Sequence, residues 1–314
     1  MRFAPLSCLA LALAAPGFLA CNGEQQPPKT PAEAAAAEMT LEDARREVVE
    51  LRKRGGGPDP ETLAPVASMD EAIKVVVADD VYRFPKALAF VEPLPGADAL
   101  TVRSLLHLAR ARALVTSAAI LDELARRQSA ERDLLASKRE SGGADEKRIA
   151  QVDGTVKQLV RGSAALRMVA GDDHQTGAKL AAEAQRQRPE DNLALRAGMH
   201  ATILSGEWLI FDRQIGKIEK QEPETAEYAR ALEALNRYAN RAEARKHLEA
   251  ALARNPDMVA ALALRVLLED DPEARFTALE ALRAKSPKHP VVILAGGVLA
   301  KEHEIAASMR SVTK

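Results

Sequence analysis

"TAEYARALEALNRYANRAEARKHLEAALARNP" spans residues 225–256. Tyr228, Ala231 and Leu235 fall at i, i+3 and i+7, and Ala244, Leu248 and Ala251 give a like spacing after a short polar break. That is the pattern of two amphipathic helices joined by a turn. Alanines at 244 and 251 let two helices approach closely, and the bulky positions fill the gap between them. Pro256 cannot continue a helix and so ends the unit. Pro189, Pro223, Pro256 and Pro290 stand 34, 33 and 34 residues apart. A fixed period of this size is the mark of stacked helical hairpins.

With Tyr228 at position 4, Ala244 at 20, Leu248 at 24, Ala251 at 27 and Pro256 at 32, the unit resembles a tetratricopeptide repeat. In that frame the unit ending at Pro189 has Ala164, Ala165 and Met168 on its first helix. "AGDDH" (170–174) makes its turn, and Gly177, Ala181 and Ala184 lie on its second helix. The unit ending at Pro223 has Leu195 and Gly198, a turn at "SGEW" (205–208), and Phe211 where the family has a small residue. The last unit fits two frames: a turn at "DDP" (270–272) suits an end at Pro287, whereas Ala278 and Leu282 suit an end at Pro290. "VVILAGGVLA" (291–300) reads as a helix closing the array, so residues 158–314 form the expected repeat domain. The resemblance implies an all-α solenoid of TPR-like helical hairpins. It also implies a groove lined by the first helices that holds a peptide or a partner helix. The positions expected to face that groove include Arg196, His200, Glu233, Asn236 and Arg237, residue types that are also ordinary on any solvated face.

The bulk numbers agree with close-packed helices. The chain has 314 residues, 47% hydrophobic but only 3% aromatic, which favours Ala- and Leu-rich helix packing over sheets. The length allows one or two domains. The net charge of −1 leaves no basic excess to neutralise phosphates, so nucleic acid is not an expected partner. Mixed runs such as "EDARREVVELRKR" (42–54) read as solvated helix faces.

Residues 39–157 form an expected N-terminal helical region. Thr40 and Asp43 have capping-box spacing, and Leu41, Ala44, Val48 and Leu51 make one apolar face. Arg52-Lys53-Arg54 suits a helix C-terminus, and Gly55-Gly56-Gly57 stops it. Two short helices are expected over 69–92, then a turn at "PLPG" (93–96). No Pro or Gly interrupts 98–140, where Leu105, Leu108, Leu114, Ala118, Leu121, Leu124 and Leu135 keep helical spacing. After a break at "SGGADEKR" (141–148), a helix over roughly 145–170 would complete a long antiparallel hairpin.

Residues 1–20 have the build of a secretory signal: Arg2, an apolar stretch from Leu6 to Ala15, and a Pro16-Gly17 break. "FLAC" (18–21) resembles the lipobox of bacterial lipoproteins, matching at Ala20 and Cys21 and departing at Phe18 and Leu19. That resemblance implies cleavage before Cys21, lipid on its thiol, and a mature chain without a free thiol. Residues 21–38, polar and Pro-containing, read as a flexible tether. Asn22 rather than Asp after the cysteine points, by the same family, to the outer membrane facing the periplasm.

Catalytic signals are sparse. His107, His174, His200, His247, His289 and His303 have no metal-ligand spacing, and neither a metal nor another cofactor is expected. Asp172-Asp173-His174 is the nearest approach to an acid–base pair; the plainer reading is a polar turn with capping side chains. Trp208 reads as a core anchor in a turn. The expected function is a lipid-anchored, non-catalytic protein-binding scaffold or assembly factor of the envelope. One alternative is a periplasmic accessory of solute transport that binds a small ligand. A third is a hydrolase using Asp173 and His174. An open groove would favour the scaffold, a closed apolar pocket between the two halves the ligand binder, and a cleft beside His174 the enzyme.

Overall fold

A computed structural model describes residues 39–78, 80, 82–140 and 146–312. The expected leader (1–20), the acylation residue Cys21 and the tether (21–38) lie outside the described residues. The described chain is all-α, with twelve α-helices and no strand.

Helix α1 (Leu41–Arg54) begins with the expected capping box: Thr40 and Asp43 satisfy each other's backbone N–H groups. It ends at Gly55. A Cβ there would meet the Ile293 carbonyl oxygen at 2.0 Å, so the glycine both stops α1 and lets it tuck against the C-terminal part of the chain. Helices α2 (Met69–Val77) and α3 (Phe84–Val91) fill the expected span. They share a core with α4 around Val75, Phe84, Val91 and Leu106.

Helix α4 (Ala97–Glu140) and α5 (Glu146–Gln187) are 44 and 42 residues long, about 65 Å each at 1.5 Å per residue. They run antiparallel, as successive cross-links show: Ser104 Oγ donates to the Gly177 carbonyl (2.9 Å), Ser163 Oγ to the Ala118 carbonyl (3.2 Å), and Arg148 pairs with Glu131 (2.7 Å). No residue from Ala99 to Ala125 is exposed. By length and apolarity α4 could cross a membrane, yet most of that stretch is covered by other helices of this fold.

Three shorter hairpins follow: α6 (Asn192–Ser205) with α7 (Trp208–Gln221), α8 (Pro223–Asn236) with α9 (Arg241–Arg254), and α10 (Val259–Leu268) with α11 (Pro272–Lys285). Each second helix has 14 residues and ends two residues before a proline: Pro223, Pro256 and Pro287. The last hairpin therefore follows the Pro287 frame. Tyr228, Ala231, Leu235, Ala244, Leu248 and Ala251, the residues that suggested the unit, are all buried. Gly206, at φ 75°, ends α6 in the left-handed conformation that favours glycine. A π-helical turn (Val291–Ala295) leads into the closing helix α12 (Gly296–Val312).

The expected turn at 170–174 is not formed. Helix α5 continues through it to Gln187, and the expected domain boundary at 157/158 falls inside the same helix. Burial against α4 overrides the turn-like residues there. Asp173, 1% exposed, accepts from Arg110 Nε at 2.5 Å and contacts His107 Nδ1 at 3.0 Å, both on α4.

Candidate partner surface

The first helices of the hairpins do not line an open groove. Helix α4 packs along α6 and α10, and its Arg112 lies 5.7 Å from the Tyr228 ring of α8. From Glu222 to Arg237, the whole of α8, no residue is exposed. The inner face, that of the first helices, is covered by the chain's own longest helix at α6 and α10 and reached at α8 through Arg112.

This corrects the placement of His200. It is 7% exposed, with Nε2 accepting from Arg112 Nη1 at 3.4 Å. Burial, with Arg112 and Arg196 adding to it, holds its pKa well below the ordinary value. Arg196 is half-buried and paired with Glu222. His200 is not available to a peptide on the inner face.

Glu233, Asn236 and Arg237 are differently placed. They lie at the C-terminal end of α8, each half-buried. Arg237 bridges Glu233 (2.8 Å) and Asp212 on α7 (3.2 Å), and its guanidinium lies 5.1 Å from the Tyr238 ring. The hydrogen bond to Glu233, with Asp212 assisting, raises the Arg237 pKa. Beside this network is an apolar edge. Tyr238 is 60% exposed, Leu209 76% and Ile210 41%, and Leu209 stands three residues before Asp212 on the same face of α7. Trp208 is half-buried, packed edge-on against buried Phe211 at 5.9 Å, so Phe211 is the true core anchor. Ala239, the only non-glycine residue with positive φ among the described residues (50°), follows Tyr238 directly. Backbone strain of this kind gathers at functional positions.

Sequence reasoning missed Leu209, Ile210 and Tyr238. A signal was present: "WLIF" (208–211) puts four apolar residues in a row at a helix start, and no single helical face can cover all four.

The acid–base pairing of Asp173 with His174, weighed as the third alternative, is not assembled. Asp173 faces α4, whereas His174 Nε2 is 3.2 Å from the Ala201 carbonyl on α6. Asp172 pairs with Arg45 at 2.9 Å. Among the described residues no group of three or more His, Cys, Asp or Glu side chains converges as a metal site would require. Compared with family models, curated proteins and solved structures, the chain matches none.

Proposed function

We propose that this is a non-catalytic, TPR-like binding protein of the bacterial envelope, held by lipid on Cys21, that engages a protein partner through the α7–α8 edge. The observation that carries the repeat reading is the common frame of the three hairpins, each second helix ending two residues before its proline. Filling of the inner face by α4 moves the contact outward. Leu209, Ile210 and Tyr238 supply apolar area, and Arg237 and Asp212 supply charge at its margin. Exposed Tyr and aliphatic side chains with an Arg-containing charged network at their margin suit a protein interface. Outer-membrane attachment facing the periplasm follows from the lipobox resemblance and Asn22.

Crosslinking and capture from intact cells tests both halves of this reading. The tagged wild type should fractionate with membranes and capture a defined envelope protein. Cys21→Ala should become soluble, and Leu209→Asp should stay membrane-bound but lose the partner. A Leu209→Asp chain that captures the same protein as wild type overturns the edge; a Cys21→Ala chain still in the membrane overturns the anchor.

A further inference from the structure

A cavity of about 380 Å³ lies between α1, the segment around Tyr82, the α4–α5 pair and the C-terminal π turn. Its walls are largely apolar: Val48, Leu114, Val169 and Leu294 face it. Three guanidinium groups also line it, and they differ in one respect. Arg45 is neutralised by Asp172 at 2.9 Å and Arg110 by Asp173 at 2.5 Å. Arg52 is 7% exposed, and among the described residues no carboxylate lies within ion-pair distance of it. Its Nε has no hydrogen-bond partner.

A cation so far removed from bulk water, with no counter-ion among the described residues, gains from an anion that meets it. The side chain is nevertheless held in place. Its guanidinium lies 5.3 Å from the Tyr82 ring, and the loop after α1 closes on its stem so tightly that a Cβ on Gly57 would come within 2.3 Å of Arg52 Cγ. Asp80, two residues before Tyr82, keeps one carboxylate oxygen buried without a hydrogen-bond partner. The result is a fixed cation at the wall of an apolar chamber, with Val49 (39% exposed) at its rim.

We propose that this cavity binds a small amphipathic carboxylate, an acid with an apolar body whose carboxylate pairs with Arg52. Guanidinium and carboxylate match in a bidentate geometry, and the apolar walls take the remainder of the molecule. At about 380 Å³ the chamber falls within the size range of small-molecule sites, room for a medium-chain acid. The inference is independent of the partner surface, since the two share no residue.

Calorimetric titration of the purified full chain with decanoate and, separately, decan-1-ol tests it. Decanoate should bind with one-to-one stoichiometry, at least tenfold more tightly than the alcohol. Arg52→Gln should bring the acid down to the alcohol's affinity, and Val49→Trp, which bulks the rim at an exposed position, should abolish both while leaving the circular dichroism spectrum unchanged. No decanoate binding by wild type, equal affinity for acid and alcohol, or an Arg52→Gln chain that keeps the preference overturns the proposal. Should Arg52→Gln fail to fold, a folded Val49→Trp chain that binds decanoate like wild type overturns it as well.

Discussion

Helices α8 and α9 meet through Ala231, Ala244 and Ala251, all wholly buried. Helices α4 and α5 meet through polar groups set among apolar ones: Asp173 between His107 and Arg110, Ser104 on a Gly177 carbonyl, and Arg167 on Asp122 at 2.6 Å. The first pair relies on small residues at the contact and is one of three short hairpins. The second is interior along α4 from Ala99 to Ala125 and carries charges into the contact. Three short hairpins and one long one thus share a core, and α4 of the long one packs along the first helices α6 and α10 of the others.

The largest effect should come from the charged contact. Asp173→Ala leaves Arg110 and His107 without their buried acceptor, and loss of one partner of such a network typically costs about 3–5 kcal/mol. Chemical denaturation measures it; a loss under about 1 kcal/mol would make the α4–α5 contact apolar in effect, like that of α8–α9. Acid should act next. His200, wedged between α4 and α6, and His289, wholly buried near the π turn, both have pKa values lowered by burial, His289 to about 3. The folded state therefore holds these rings neutral, while the unfolded chain takes up protons near pH 6.5. Their stability contribution is complete above that value and lost as pH falls, roughly 1–2 kcal/mol per histidine by pH 5. Unfolding titrations at pH 7.5 and pH 5 should differ accordingly, and replacing His200 with Gln should reduce the difference.

In the repeat hairpin, Ala244→Leu overpacks the α8–α9 contact and should destabilise by about 1–3 kcal/mol. An unchanged denaturation midpoint would show that Ala244 does not set the approach of the two helices. Ala239→Gly should do the opposite, raising stability by about 1 kcal/mol, because glycine adopts the observed positive φ without the Cβ penalty. At the exposed edge, Leu209→Asp should leave melting essentially unchanged while weakening partner capture. A chain that melts early would make Leu209 part of the packing of α7 instead.

The same contrast explains what the sequence disclosed. Fixed spacing of Pro and Ala made α8–α9 legible, because a small residue at a helix contact leaves a period in the chain. Capping residues marked α1, and the uninterrupted run of 98–140 marked α4. The turn-like "AGDDH" misled, since Asp173 is needed for a contact with α4 more than sixty residues earlier, and nothing local records that. His200 was misplaced for the same reason: its helix position was read in the family frame, but Arg112 of α4 lies across it. Of the residues expected to meet a partner, Glu233, Asn236 and Arg237 lie at one corner, and the apolar residues beside them were hidden in a four-residue run. The burial of Arg52 was illegible, because "LRKR" reads as an ordinary basic helix end until Tyr82 and Gly57 fold over it.

Occupation of the inner face by α4 is the claim on which the outward placement of the partner surface depends. Native-state hydrogen exchange of the backbone amides tests it most directly. The amides of α4 from Val102 to Leu121 should exchange only with global unfolding, at the same free energy as those of α6 and α8. Exchange of that segment by a separate opening of clearly lower free energy, with α6 and α8 still protected, would mean that α4 leaves the inner face and that a groove can open there after all.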